Sequence, residues 1–324
     1  MNRKKMIRIL LPAAAVCIVL VLFAVFALPA LKYNSAKALL DAGKYEEAIA
    51  AFESLGTYRD SAGQIEACRA AIIARNSNAA AALYESGDTE AAYALLKGLD
   101  DPDCAAKAKE YLFEIQKGRL GSMAPGDTLL FGSYEQDGDL SNGPEELEWI
   151  VLDADSGEAL VISKYGLDIR EFNDEKDLYS AVTWNTCQLR QWLNGPFYNS
   201  AFSPEHQGMI LISDVPAATN PDSDVNPGRS TKDKVFILGI EEAYRYFDSD
   251  SARQCFGTSY CYMLGAEKTG DGACYWWLRS PGVEFSSVSV VLGSGAVFTN
   301  GFSSGHIPNL AVRPVMRISS GSAR

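Results

Sequence analysis

An uninterrupted apolar run from Ile9 to Leu31 constrains this chain more than any other feature: 23 residues with no charge and no strongly polar side chain. At about 1.5 Å per residue, a helix of that length crosses the roughly 30 Å hydrocarbon core of a bilayer. Pro12 and Pro29 sit near its ends, where a missing backbone N–H costs least. The apolar core of a cleaved signal peptide is shorter, about 7–15 residues, although Ala27 and Ala30 would suit a signal peptidase. A buried soluble helix is disfavoured because no polar face exists to meet water. The run therefore predicts an uncleaved transmembrane helix over residues 9–31. Arg3, Lys4, Lys5 and Arg8 precede it, and only Lys32 and Lys37 follow closely. The positive-inside rule then makes residues 1–8 a cytoplasmic tail and places the rest outside the cytoplasm, in a single-pass protein of the cell membrane with lipid around one helix.

The formal charge is −12, and removing the four basic residues of the tail leaves −16 for the remainder. So acidic a surface repels phosphate backbones, which excludes nucleic acid as a partner. Divalent cations, cationic groups and neutral ligands such as sugars remain compatible. The seven cysteines are irregularly spaced, with no CxxC pair and no zinc pattern. They read as buried thiols acting as small hydrophobes, with a Cys255–Cys261 loop disulfide as the exception.

Residues 32–118 are rich in alanine and leucine and contain an internal repeat. ALLDAGKYEEAIAAFESLGTYRDSA, from Ala38, aligns with AALYESGDTEAAYALLKGLDDPDCA, from Ala81, when Gly43 is set against Gly87. Ala48 then faces Ala92, Phe52 faces Leu96 and Leu55 faces Leu99. Tyr45, Ala48, Ile49, Phe52 and Leu55 form one helical stripe, and each glycine stands where a left-handed helix cap belongs. The pattern resembles the tetratricopeptide class of helix–turn–helix repeats, although its offset of 44 residues exceeds the usual length of about 34. So short a stack reads first as a rigid spacer, and secondly as a concave face for a peptide or partner helix.

From Gly118 the pattern changes to short strands, Gly-rich turns and all five tryptophans, which predicts one α+β domain over residues 119–324. Strands are expected at Thr128–Phe131, Trp149–Asp153, Ala159–Ser163, Lys234–Leu238, Tyr275–Leu278 and Leu310–Ile318, with a hairpin joining Ser287–Leu292 to Ala296–Thr299. Helices are expected at Asn185–Leu193, with Leu189 and Trp192 inward, at Glu241–Tyr246, and after Ser203 as a capping residue.

The ordered series FGSY, EWIVLD, ALVISKYGLD, VTWNTCQLRQWLN, DKVFILGIEEAYRYF, WWLRSPG and VRPVMRI resembles an uncharacterised bacterial family, a domain of unknown function found mainly in Firmicutes. The likeness runs from Gly126 to about Ile318 and carries no established chemistry. Beneath it, the late WxRS strand, Gly-rich hairpin and closing VRPV strand resemble the C-type-lectin-like superfold shared by formylglycine-generating enzymes. That resemblance implies that the first and last strands pair, setting Thr128–Phe131 against Ala311–Met316.

Candidate sites follow from residue type. The two histidines, His206 and His306, have no local cysteine signature that would make a nucleophile–base pair. Cys255 and Cys261 precede the Arg-bearing strand, whereas formylglycine-generating enzymes carry their pair after it. Asp222, Asp224 and Asn226 alternate as oxygen ligands for Ca²⁺ would, but Pro227 stands where an EF-hand requires glycine. Trp276 and Trp277 are adjacent in a strand and point to opposite faces. One belongs to the core, and the other, with Tyr275 or Tyr262, offers a flat surface to a ligand. Arg279 is a ligand candidate in that group. Arg279 and Arg313 also read as buried, carboxylate-paired structural residues, the preferred reading for both. These features favour a binding or interaction protein with a lectin-like head on a helical spacer, its ligand a glycan, a cell-wall component or a protein. An extracytoplasmic enzyme on a formylglycine-generating-enzyme-like scaffold is the alternative.

Overall fold

The structure is a computed structural model in which residues 23–173, 182–304 and 309–321 are described. The chain forms two compact units, residues 1–114 and 115–324. Among the described residues no helix is long and apolar enough to cross a membrane. This corrects the expected transmembrane helix. Residues 9–22 lie outside the described residues. The described end of the run forms a π-helical turn, Phe23–Ala27, leading into a 14-residue helix, Leu28–Asp41. That helix carries Lys32, Lys37 and Asp41, and it buries Tyr33 and Ala36 against its neighbours. Its inward face serves protein packing.

The first unit is helical. After Leu28–Asp41 come helices Tyr45–Glu53, Ser61–Glu85, Thr89–Leu96 and Pro102–Arg119, the last running past residue 114. Gly43 and Gly87 end their helices with φ of +72° and +89°, the left-handed geometry that favours glycine. The matched positions of the two copies are equally buried: Ala48 and Ala92, then Phe52 and Leu96, are each fully enclosed. Small alanines at these contacts let the helices approach closely, while Phe52 and Leu96 fill two separate cores.

The second unit is built on two sheets. In chain order the strands are β1 (Thr128–Tyr134), β2 (Glu145–Asp155), β3 (Glu158–Ser163), β4 (Asp168–Ile169), β5 (Ile210–Leu211), β6 (Ser213–Val215), β7 (Thr231–Asp233) and β8 (Val235–Phe236). They continue with β9 (Cys255–Phe256), β10 (Ala273–Cys274), β11 (Trp276–Pro281), β12 (Ser287–Val291), β13 (Val297–Ser303), β14 (Ala311–Val312) and β15 (Val315–Ser319). One sheet runs β1-β2-β3-β15-β5, with β8 also on β15; the other runs β13-β12-β11-β14-β4. β6–β7 and β9–β10 form separate two-stranded ladders. The expected β12–β13 hairpin turns through Gly295 at φ +85°.

The closing VRPV segment passes from one sheet to the other. Ala311 lies beside Trp276 in the second sheet, and three residues after Val312 the chain re-enters as β15 against β3 in the first. Pro314 has no N–H to continue a ladder, and its carbonyl instead accepts from Ser163 N at 2.9 Å. The pairing implied by the lectin-like resemblance is corrected here. β1 pairs with β2, and the last strand pairs with β3, not with Thr128–Phe131.

β11 is buried along its whole length, WWLRSP. Trp276 and Trp277 do point to opposite faces, but both faces are covered and both rings are fully enclosed. The Trp276 ring nitrogen donates to Arg253 O at 3.2 Å, and that of Trp277 to Arg170 O at 2.8 Å. Neither tryptophan presents a surface. Trp192, expected inward, is half-buried with the Arg170 guanidinium 4.7 Å above its ring. The six described cysteines are free and buried, and Cys255 stands opposite Cys274 across β9–β10 rather than bonded to Cys261.

Candidate functional site

A cavity of about 420 Å³ opens beside β15 and lies entirely within the second unit. Leu160, Leu211, Val215, Pro216 and Phe236 give it apolar walls, and Ile212 stands exposed beside them. Glu158, Ser213, Asp214, Glu242, Tyr246 and Arg317 supply the polar lining. Local geometry places each group. Glu158 and Leu160 share a face because strand side chains alternate, and the register sets Arg317 opposite both Leu160 and Leu211. Glu242 and Tyr246 stand one turn apart on the helix Ile240–Tyr246, on its cavity side.

Glu242 is fixed from behind. Its carboxylate accepts from Gly239 N at 2.8 Å, closing the helix N-terminus, and forms a two-pronged pair with Arg279, whose Nη2 reaches Oε1 at 2.9 Å. Arg279 is 4% exposed and also donates to Ile237 O at 2.9 Å. A Cβ at Gly239 would come within 2.7 Å of the Ala218 Cβ, so glycine there lets the strand and helix close around the pair. Of the residues singled out from sequence, Arg279 thus belongs to the site, as the group that orients Glu242. Burial pushes the Tyr246 phenol upward, keeping its proton available for donation. Ser213 Oγ is buried without a hydrogen-bond partner among the described residues. A buried hydroxyl left unpaired costs stability, and this one belongs to a residue of the lining.

The other expected site residues do not gather there. Tyr275 is partly buried. Tyr262 uses its hydroxyl within its own loop, accepting from Gly257 N at 2.6 Å and donating to Gly272 O. Asp222, Asp224 and Asn226 lie on an exposed turn, where Asn226 accepts from Gly228 N at 2.9 Å. Among the described residues three carboxylates do converge, in Glu135, Asp137 and Glu145, with one oxygen of each within 4.8 Å. Their oxygens accept from loop amides, of Gly138, Asp139 and Gln136 respectively, each at 2.7 Å, so the cluster organises the DGDLSNG turn. Arg313 is 2% exposed; its Nε donates to Ser163 O at 2.9 Å, and Trp276 and Phe247 cover its plane at 5.1 and 5.3 Å. Those aromatic faces stand where a carboxylate partner was expected.

His306 lies outside the described residues. His206 packs edge-on against Phe131, and its Nδ1 lies 2.8 Å from Ser203 Oγ. Glu205 accepts from the same hydroxyl at 2.7 Å. A nucleophile–base–acid relay needs the acid behind the imidazole, so this is a helix cap, and Ser203 also accepts from His206 N as expected of a capping residue. Burial lowers the His206 pKa. The folded state then holds fewer protons than the unfolded one just below the unfolded value of about 6.5, so stability falls with pH through that window. Urea titrations at pH 7.5 and 5.5 should show this loss, and His206→Gln should reduce it. An unchanged pH dependence in the variant would contradict the assignment.

A family described as "Domain of unknown function (DUF6273)" matches residues 156–320, just over half of the chain. The chain belongs to this family. The DUF6273 span runs from the β2–β3 turn to the end of β15 and contains every residue lining the cavity. It does not reach the helical first unit. No curated protein and no solved structure matches the chain. The lectin-like resemblance therefore has neither a matching structure nor the expected strand pairing behind it.

One of the DUF6273 motifs proves to be scaffold. In VTWNTCQLRQWLN, Trp184 Nε1 and Arg190 Nε both donate to the buried Asp233, at 2.9 and 2.7 Å, and Asn194 bonds the β8 backbone. The cavity is lined from ISDVP, from the ends of β3 and β15, and from Phe236, Glu242 and Tyr246 of the DKVFILGIEEAYRYF motif. Sequence reading passed over Glu158, Ser213, Tyr246 and Arg317. The available signals were the i, i+4 spacing of Glu242 and Tyr246 and the shared face of Glu158 and Leu160.

Proposed function

We propose that this protein is a binding protein whose DUF6273 domain takes a saccharide unit, from a glycan or a cell-wall polymer, in the cavity beside β15. The observation that carries this reading is the lining. Apolar walls and the Tyr246 ring adjoin several hydrogen-bonding groups, Glu158, Ser213, Glu242 and Arg317, with Glu242 held in place by Arg279. A volume of about 420 Å³ lies within the usual range for small-ligand sites, and concave apolar sites with a few fixed polar groups are where such ligands bind. A sugar ring meets both demands, with C–H faces for the walls and hydroxyls for carboxylate, guanidinium and serine. The strongly acidic surface is compatible with a neutral ligand. The helical unit serves as a spacer for this domain.

The test is a glycan and peptidoglycan-fragment array with the full chain, followed by calorimetry on the hits. Ile212, 65% exposed at the cavity wall, is the position to block. Ile212→Trp should abolish binding of the array hits while shifting the melting temperature by no more than a few degrees. Binding that survives the block, or chemical turnover of the hits, would refute the proposal.

A further inference from the structure

Three cysteines of the second unit lie close together: Cys255 on β9, Cys261 on the helix Ser259–Met263 and Cys274 on β10. Two of them are aligned. β9 and β10 pair antiparallel in a register that sets Cys274 directly opposite Cys255 and Ala273 opposite Phe256. Directly opposed residues of an antiparallel ladder have Cα atoms about 4.5 or 5.5 Å apart, and disulfides span Cα separations of about 4.4–6.8 Å. Side chains of an opposed pair also leave the sheet on the same face. The expected partner, Cys261, sits on a helix capped by Thr258, whose hydroxyl accepts from Cys261 N at 3.1 Å.

We propose that Cys255 and Cys274, thiols in this structure, form a disulfide bond across the β9–β10 ladder under oxidising conditions. The surroundings distinguish these two thiols. The Cys274 thiol donates toward Cys255 and, with the nearby Arg313 guanidinium, draws the Cys255 pKa down against the effect of burial. Bonding to Cys255, together with burial, raises that of Cys274. Burial pushes Cys261 up to about 12, so it remains a thiol. While β9 and β10 are uncovered either of these two thiols can open the exchange, here Cys255 with Cys274 as the resolving thiol. The oxidant is a small disulfide of the oxidised-glutathione class. Cys255 sulfur attacks one of its sulfurs, forming a mixed disulfide and expelling the other half as a thiolate, which takes the Cys274 proton. Cys274 sulfur then attacks the Cys255 sulfur and expels the second half, which leaves as a thiol after taking up the proton first lost by Cys255. Two protein thiols lose two electrons and two protons, and one small disulfide becomes two thiols. Because Cys255 and Cys274 are 1% and 0% exposed, the exchange is completed before β9 and β10 are covered, and the folded bond resists reductant.

The bond closes a loop of about 20 residues, for which loop-closure entropy and the usual scaling of melting temperature predict a stabilisation of roughly 6–12 °C. The test refolds the full chain from reduced denaturant with oxidised glutathione, alkylates it in denaturant with N-ethylmaleimide and maps the peptides. The expected result is a linked Cys255–Cys274 peptide about 2 Da lighter than the two free thiol peptides. It should persist in Cys261→Ser, disappear in Cys274→Ser, and be accompanied by a melting temperature that falls by the stated amount when the bond is reduced before folding. Three alkylated cysteines after oxidative refolding, or a Cys255–Cys261 link, would overturn the proposal. The map reads covalent linkage directly, so its outcome is independent of whether the cavity binds a saccharide.

Discussion

Replacing Glu242 with alanine should lower the stability of the second unit by about 3–5 kcal/mol, the range found when one member of a buried ion pair is removed. Arg279 would keep its bond to Ile237 O at 2.9 Å but would be left as a charge 4% exposed with no carboxylate beside it. The helix Ile240–Tyr246 would also lose its first-turn closure, since Glu242 accepts from Gly239 N. For a unit of this size the loss corresponds to a fall in melting temperature of about 6–20 °C. Replacing both partners, Glu242→Leu with Arg279→Met, should be less harmful than the single change, because no buried charge is then stranded. Urea unfolding of the three variants measures this. A Glu242→Ala protein within about 1 kcal/mol of the parent, or a double variant worse than the single, would show that the pair does not hold this corner of the fold.

Trp276→Ala is expected to cost at least as much, about 3–5 kcal/mol, the usual range for deleting a large aromatic from a core. The ring is fully enclosed. Its nitrogen is the donor to Arg253 O, and its face lies 5.1 Å from the Arg313 guanidinium carbon. Arg313 already has an Nη1 without a hydrogen-bond partner among the described residues, so removing the ring exposes that charge to a void. Trp192→Ala, at a half-buried position, should give a clearly smaller shift. The comparison separates two roles that sequence alone left open. If Trp276 were a ligand platform, its removal would abolish binding and leave the melting curve in place. The structure requires the melting curve to move.

The sequence made some elements of this molecule plain and concealed others, for identifiable reasons. The helices of the first unit were legible because glycine caps and helical apolar spacing are local signals, and Gly43, Gly87, Ala48 and Ala92 sit as those signals require. The β12–β13 hairpin was legible through its glycine turn. The expected transmembrane helix rested on apolar composition. The described end of that run leaves Val25, Phe26, Leu28 and Leu31 exposed, the helix Leu28–Asp41 packs through Tyr33 and Ala36 beyond it, and no described helix meets the length and hydropathy a bilayer demands. The pairing of the last strand was not legible because register is set by nonlocal packing, and β3 competes with β1 for the same partner. Trp276 and Trp277 were misread because alternation gives opposite faces but not whether both are covered. The cavity escaped notice because its lining is gathered by the fold from short segments, and the one that lies in a recognised motif, Phe236 with Glu242 and Tyr246, shows no local sign of facing a cavity. Arg279 was read as a structural, carboxylate-paired residue, and Glu242 is the carboxylate.

The central claim, that the cavity beside β15 is where this DUF6273 protein holds its ligand, is tested most directly by backbone amide chemical-shift mapping on the full chain during titration with the tightest-binding saccharide. The account predicts shifts concentrated at Glu158–Leu160, Leu211–Pro216, Phe236, Glu242–Tyr246 and Arg317, the segments that line the cavity. Shifts centred instead on the half-buried aromatic group of Tyr134, Trp192 and Tyr260, with the cavity segments unmoved, would contradict it.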